Sequence, residues 1–273
     1  MIIDGHAHLG GEYKDLPCII SALDNAGADK VVLCPADTVR PRSMPLPVLA
    51  GKIPDKELSF SVNRLLRATS ARRKTEQYIE SGNEEVFKIA GLSAGRVIQF
   101  YWADMRRNGL IDELDLKYKL WKYKGIKLHQ SVHPFKVNSS SFNDLAGYAA
   151  ARNLPLFIHL HSRNEIIDFI SVAQNHKTIF ITGHLIGLEI FVANKQSVGD
   201  NIYFDISCPQ LVSTGLIKHA LKEFGPRRLT MGSDTPYGKN NVSLIISRVR
   251  NLGLPDAEKE MILGNNLKNI LSL

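Results

Sequence analysis

Disulfide chemistry has little to work with in this 273-residue sequence, whose three cysteines, Cys18, Cys34 and Cys208, stand far apart without paired spacing. That excludes a disulfide framework and a cysteine zinc knuckle, and it fits a reducing cytoplasm. No apolar run approaches the roughly 20 residues needed to cross a bilayer, and no basic segment precedes the opening apolar stretch as in a secretory signal. A cytoplasmic chain without a membrane partner is expected. The phosphate-cradling patterns G-x-G-x-x-G and G-x-x-x-x-G-K-[ST] are missing, which weighs against a doubly wound nucleotide-binding sheet. One G-x-S-x-G match, GLSAG from Gly91 to Gly95, follows a helical stretch and precedes a strand. A nucleophile elbow needs the reverse order, so these glycines read as a helix ending. The net charge is +7, and part of it lies in RLLRATSARRK, Arg64 to Lys74, which holds no acidic and no aromatic residue. Without aromatic interleaving, a solvated face is the simpler reading and nucleic acid is an unfavoured partner.

The sequence does have alternation. Eight short β-branched or aromatic runs, MIID, DKVVLCP, RVIQFYW, GIKLH, LPLFIHL, TIFITGH, IYFDIS and RRLTMGSD, are separated by amphipathic stretches that can return the chain to the other end of a sheet. This is the pattern of βα units, and it predicts an α/β fold closed as a (β/α)8 TIM barrel, a single domain over residues 1–273 and close to the usual length of about 250. One interval is too long. Between strands two and three an insertion of about residues 38–80 opens with PADTVRPRSMPLPVLAGKIP and leads into a helix containing EEVFKIAGL. It leaves the carboxyl end of its strand, where barrel substrates bind, so it reads either as a lid or specificity element or as a surface excursion.

The chain begins MIIDGHAHLG, and His6 and His8, one residue apart on a strand, face the same side. Such a pair chelates metals, yet two histidines at a strand end are also ordinary hydrogen-bonded polar groups. Reading each run to its end adds Lys127 and His129 on strand four, His159 and His161 on strand five, His184 on strand six and Asp234 on strand eight. A barrel interior is normally aliphatic, and burying imidazoles, an amine and a carboxylate together costs several kcal/mol unless they pair or bind metal. Coordination resolves that cost. His129 and His161 lie one step nearer the rim than Lys127 and His159, which makes them substrate contacts, and His133 with Lys136 can extend an anion-binding wall or lie on the surface.

These stretches, IDGHAH, YKGIKLH, LPLFIHLHS, FITGHLIG, RLTMGSDTPYG and the closing ILGNNLKNILSL, resemble in order the amidohydrolase superfamily. The similarity is to its metal-dependent TIM-barrel hydrolase and decarboxylase branch, which includes aminocarboxymuconate semialdehyde decarboxylase. The resemblance implies that His6, His8 and His159 are metal ligands. It implies that Asp234 is both a ligand and the general base, and that His184 contacts the reacting water or the substrate, or a second metal. Lys127 resembles the lysine that is carboxylated in binuclear members, but the favoured reading is that of mononuclear relatives, in which a similar lysine stays an ammonium that pairs with a substrate carboxylate or with Asp4. One divalent ion is favoured over two, zinc first, with manganese, iron or cobalt as alternatives.

The expected activity is hydrolysis in which a metal-activated water attacks a carbonyl centre of a small, anionic or neutral substrate, such as an amide, lactam, lactone or ester. Metal-dependent non-oxidative decarboxylation of a carboxylic acid is the alternative on the same site. A phosphodiesterase or nuclease using the basic insertion ranks lower. The resemblance also allows a homodimer.

Overall fold

In the computed structural model, residues 1–36, 47–52, 55–70 and 75–273 are described. The eight runs form eight strands: β1 Ile3–His8, β2 Lys30–Cys34, β3 Val97–Trp102, β4 Gly125–His129, β5 Leu156–His159, β6 Phe180–Thr182, β7 Ile202–Asp205 and β8 Leu229–Thr230. Each pairs in parallel with the next, in the order of the chain. Strands β3 and β4 are buried along their whole length, as strands covered on both faces must be, and for that reason they read as near-continuous apolar runs. The ring is drawn together by bonds between its first and last strand regions: Gly5 N to Met231 O at 2.9 Å, Asp234 N to His6 O at 2.8 Å and His8 N to Thr235 O at 2.7 Å. This is the expected (β/α)8 barrel.

Helices return the chain between strands: α1 Leu16–Ala26, α2 Asp55–Ser70, α3 Thr75–Leu92, α4 Leu110–Trp121, α5 Ser140–Ala150, α6 Arg163–Ala173, α7 Leu188–Ala193, α8 Thr214–Phe224, α9 Asn241–Arg250, α10 Asp256–Glu260 and α11 Asn266–Leu271. Their starts follow local chemistry. Asp15, Ser139, Ser162 and Ser213 each accept a hydrogen bond from a backbone N–H in the first turn of the following helix, satisfying donors that no intrahelical carbonyl can reach. The larger apolar cluster lies between sheet and helices. A smaller one, including Ile3, Val32, Ile98, Phe100, Phe157 and Ile181, fills the barrel with Leu267 and Ile270 of α11 packed against it.

The insertion contributes α2, whereas α3 packs on β2 and β3 as the returning helix of its unit. Leu58, Phe60 and Asn63 of α2 are buried. The Arg163 guanidinium covers the Phe60 ring at 4.7 Å and pairs with Glu57 at 3.0 Å, and the backbone N–H groups of Leu49 and Ala50 donate to Gln210 O. The insertion is thereby fastened across the carboxyl ends of the strands. In the basic stretch Arg67 donates to Gln130 O at 2.8 Å, while Arg72, Arg73 and Lys74 lie outside the described residues.

Candidate metal centre and pocket

At the carboxyl end of the barrel, side chains from five strand regions meet. Asp234 Oδ1 lies 3.4 Å from His6 Nε2 and 3.6 Å from His8 Nε2, and its Oδ2 lies 4.0 Å from His184 Nε2. All four residues are buried. Two donors on one tetrahedral ion at about 2.1 Å are about 3.4 Å apart, so the separations of His6 and His8 from Asp234 are each near that of a pair of ligands. His6, His184 and Asp234 each offer an atom within 4.8 Å of the others.

Hydrogen bonds fix which nitrogen of each ring is available. His8 Nδ1 donates to Pro35 O at 2.7 Å, leaving the lone pair on Nε2, toward Asp234. Ser207 Oγ donates to Asp205 Oδ2, so the 2.9 Å contact between Ser207 Oγ and His184 Nδ1 has the ring as donor. His184 therefore also presents an Nε2 lone pair. Burial holds both rings neutral by pushing their pKa values down to about 3, and it takes His6 well below the usual imidazole range. Neutral imidazole is the ligating form. Burial also pushes the Asp234 carboxyl up to about 8, against the opposing pull of the Lys127 ammonium. A cation among these groups reverses that penalty, and the donor set is chemically suited to one.

Backbone geometry carries two of these side chains past the strands. His184 stands in a short 3-10 turn after β6 with φ 57°, and Asp234 follows β8 with φ 56°. His6 lies where β1 shifts register against β2, between Asp4 and Ala7. Its ring stacks on Phe157 at 4.0 Å.

Lys127 does not pair with Asp4. The Asp4 carboxylate accepts from Tyr13 Oη at 2.9 Å and Ser233 N at 2.7 Å, whereas Lys127 Nζ lies 3.0 Å from His6 Nε2 and above the Phe157 ring. Burial draws the Lys127 amine down to about 8. Its proton competes with any metal for the His6 lone pair.

His159 is close to the cluster, with its ring 5.1 Å from His184, but its Nε2 is committed to Asn63 Oδ1 at 2.6 Å. Asn63 Nδ2 donates to the carbonyls of Leu160 and His161, so its oxygen is the acceptor and His159 Nε2 carries the proton. The free lone pair of His159 is on Nδ1. His129, paired in register with His159, stacks on it at 3.8 Å and is stacked in turn by Trp102. Its Nδ1 accepts from Ser131 N, which puts its proton on Nε2.

His8, Lys127, His129, His159, His184 and Asp234 form the floor of a cavity of about 280 Å³ whose upper walls include Leu49, Val62, Leu65 and Leu66 of the insertion. His161 stands outside the lining, half-buried and bonded to Ser131 Oγ at 3.0 Å. His133 lines a different cavity, with Asn83, Asp104 and Arg107, on which Trp102 also borders. Lys136 is at the surface and pairs with Glu165 at 2.8 Å. Sequence reasoning passed over Asn63, Trp102, the Asp205–Ser207 pair behind His184, and two thiols. Cys34 Sγ is 3.3 Å from His8 Nδ1, and Cys208 borders the cavity beside Asp234. A polar residue within an otherwise amphipathic insertion helix was the available signal for Asn63, and nothing local marked the rest.

No protein-family model and no curated protein matches the sequence. Solved structures do match its fold. The 5-carboxyvanillate decarboxylase of Sphingomonas paucimobilis is 10% identical with a TM-score of 0.69, over 100% of this chain and 99% of that one. The barrel is shared with enzymes. A protein of Acinetobacter baumannii assigned as a 2-pyrone-4,6-dicarboxylic acid hydrolase, solved with citric acid, is 11% identical with a TM-score of 0.70, over 100% and 99%. A dihydroxybenzoic acid decarboxylase of Polaromonas sp. JS666, solved with manganese and 2-nitroresorcinol, is 12% identical with a TM-score of 0.68, over 100% and 97%. The structural neighbours thus include decarboxylases and proteins assigned as a hydrolase and as an amidohydrolase, and no helix among the described residues is long and apolar enough to cross a membrane.

Proposed function

We propose that the chain is a metal-dependent hydrolase acting on a carbonyl centre of a small molecule. One observation carries the reading: three buried imidazole nitrogens, of His6, His8 and His184, lie around the Asp234 carboxylate, and all of these residues but His6 border a pocket at the carboxyl end of the barrel. His6, His8 and Asp234 would hold the ion, with His184 or the Nδ1 of His159 as a further donor. The mixed nitrogen and oxygen set suits zinc, and a neighbour's manganese makes that ion the first alternative. Such an ion supplies Lewis acidity, drawing the pKa of a water it holds toward about 7 and polarising a carbonyl.

The chain's own residues supply the rest. Asp234 takes the proton of the attacking water and returns it to the leaving group. His184, oriented by the Ser207–Asp205 pair, steadies the geometry around that proton. The Nε2–H of His129 is a donor for a substrate oxygen, and Lys127 is placed to meet the carboxylate that hydrolysis produces. Two free, buried thiols suit a reducing compartment such as the cytoplasm.

Decarboxylation is the rival reaction, since enzymes that perform it share this fold. The test is direct. Zinc- or manganese-loaded protein is assayed with esters, lactones and amides for acid release and, in parallel, with aromatic carboxylic acids for carbon dioxide. Acid release from the first panel supports hydrolysis; carbon dioxide from the second alone replaces it with the rival.

A further inference from the structure

The floor and the walls of the pocket differ in chemistry. Most ionisable groups that border it, Lys127 and Asp234 among them, belong to the floor, while Leu49, Val62, Leu65, Leu66, Val132 and Leu211 form the walls together with the ring of Tyr237, 6.2 Å from that of His8. Among the described lining residues Lys127 is the sole lysine or arginine. Among the described residues the nearby cations have partners of their own: Arg64 in Ser61 Oγ at 3.0 Å, Arg67 in Gln130 O at 2.8 Å, Arg163 in Glu57 at 3.0 Å and Glu189 at 2.9 Å, and Lys136 in Glu165. Against these described aliphatic walls a second anionic group on a substrate would rest on hydrocarbon, which is costly. Size sets a second limit. An apolar cavity of about 150 Å³ takes a benzene ring. The 280 Å³ here takes one ring with a short substituent, or a medium-length alkyl chain.

From this contrast we infer that the substrate is a neutral, apolar acyl compound, a single-ring or medium-chain ester, lactone or amide, whose one polar carbonyl reaches the floor. The inference rests on the hydrolytic reading for its reacting bond and on the walls for its substrate class. In the step itself the acyl carbon gains the oxygen of water and its bond to the leaving oxygen or nitrogen breaks. The proton passes through Asp234 to that leaving atom. The insertion supplies Leu49, Val62, Leu65 and Leu66, so it decides specificity.

The test is a binding series on the zinc-loaded full chain, using hydroxamic acids as probes read by titration calorimetry. Straight-chain acyl hydroxamates of increasing length are compared with chains of equal length ending in a carboxylate. Each added methylene should tighten binding about three- to fourfold until the pocket is full, and a terminal carboxylate should weaken it at least tenfold. Leu65 is 66% exposed, so Leu65→Lys spares the core and should recover much of the carboxylate-tailed binding. Equal or tighter wild-type binding of the carboxylate-tailed probes, affinity independent of length, or no binding of any probe overturns the inference. Turnover of nitrophenyl esters of the same tails, run in parallel, separates it from the reading beneath. Preserved tail preference with no turnover removes hydrolysis and leaves the substrate class; turnover that favours carboxylated tails removes the class and leaves hydrolysis.

Discussion

Gly232 offers a sharp test of how the centre is held. It follows β8, and a Cβ added there would lie 2.8 Å from His6 N, 2.9 Å from His6 Cβ and 3.0 Å from Ser207 Cβ. Ordinary contact begins near 3.4 Å, so Gly232→Ala must displace backbone by about half an ångström. Neither neighbour gives way easily. His6 is pinned by its carbonyl to Asp234 N at 2.8 Å, and Ser207 is bonded to both Asp205 and His184. Overpacking of this kind costs about 1–3 kcal/mol, which for a chain of this size lowers Tm by roughly 3–10 °C. The methyl also pushes apart His6 and the support of His184, and ligand distances tolerate only about 0.2 Å. Disturbing such supports weakens metal affinity roughly 10- to 100-fold. The assay is a thermal melt by circular dichroism together with zinc competition against a chromophoric chelator. Gly147→Ala on α5, where a Cβ meets nothing within 4 Å, is the control and should be neutral or slightly stabilising. A Gly232→Ala protein with wild-type Tm and zinc affinity would refute the claim that this close approach shapes the centre.

Asp234→Asn should keep the fold and much of the metal while reducing turnover by orders of magnitude, measured with saturating zinc. Elemental analysis of protein purified without added metal or chelator should give close to one divalent ion per chain; close to two would make Lys127 a carboxylated bridge. Asn63→Ala removes the acceptor of His159 Nε2–H and two bonds to the carbonyls of Leu160 and His161 just after β5, so α2 should be cleaved faster in limited proteolysis with a loss of about 1–3 kcal/mol in denaturant melts. Burial works against the charge of Glu165, but bonds from Lys136, Gln130 Nε2 and Val137 N overcome it and hold its pKa below the usual value. The unfolded chain then takes the proton first as pH falls, so this stabilisation is present above the ordinary glutamate pKa and is lost through the lowered one. Glu165→Gln should flatten stability against pH over that acid range, read from urea midpoints.

The barrel and much of its centre could be read from the chain because both rest on local rules. Parallel strands covered on both faces are near-continuous apolar runs, and side chains two apart on a strand face the same way by parity, so His6 and His8 emerged from counting along the runs. His184 and Asp234, by contrast, stand beyond their strands on left-handed backbone that parity does not describe. Partners fixed by closure were not readable. Asn63 meets His159 across 96 residues, and Asp4 meets Ser233 across 229, at distances that no spacing rule covers. The turn after β4 sent His133 behind Trp102 into another cavity, and His161 turned to Ser131, although both share a strand-end neighbourhood with residues that do border the pocket. Sequence alone determined that imidazoles and a carboxylate would collect at one end of a barrel, since strand periodicity is a property of the backbone. Which nitrogen faces the centre, what Lys127 touches and which aliphatic side chains wall the pocket were decided only by tertiary structure, because they depend on how segments far apart in the chain pack and hydrogen-bond.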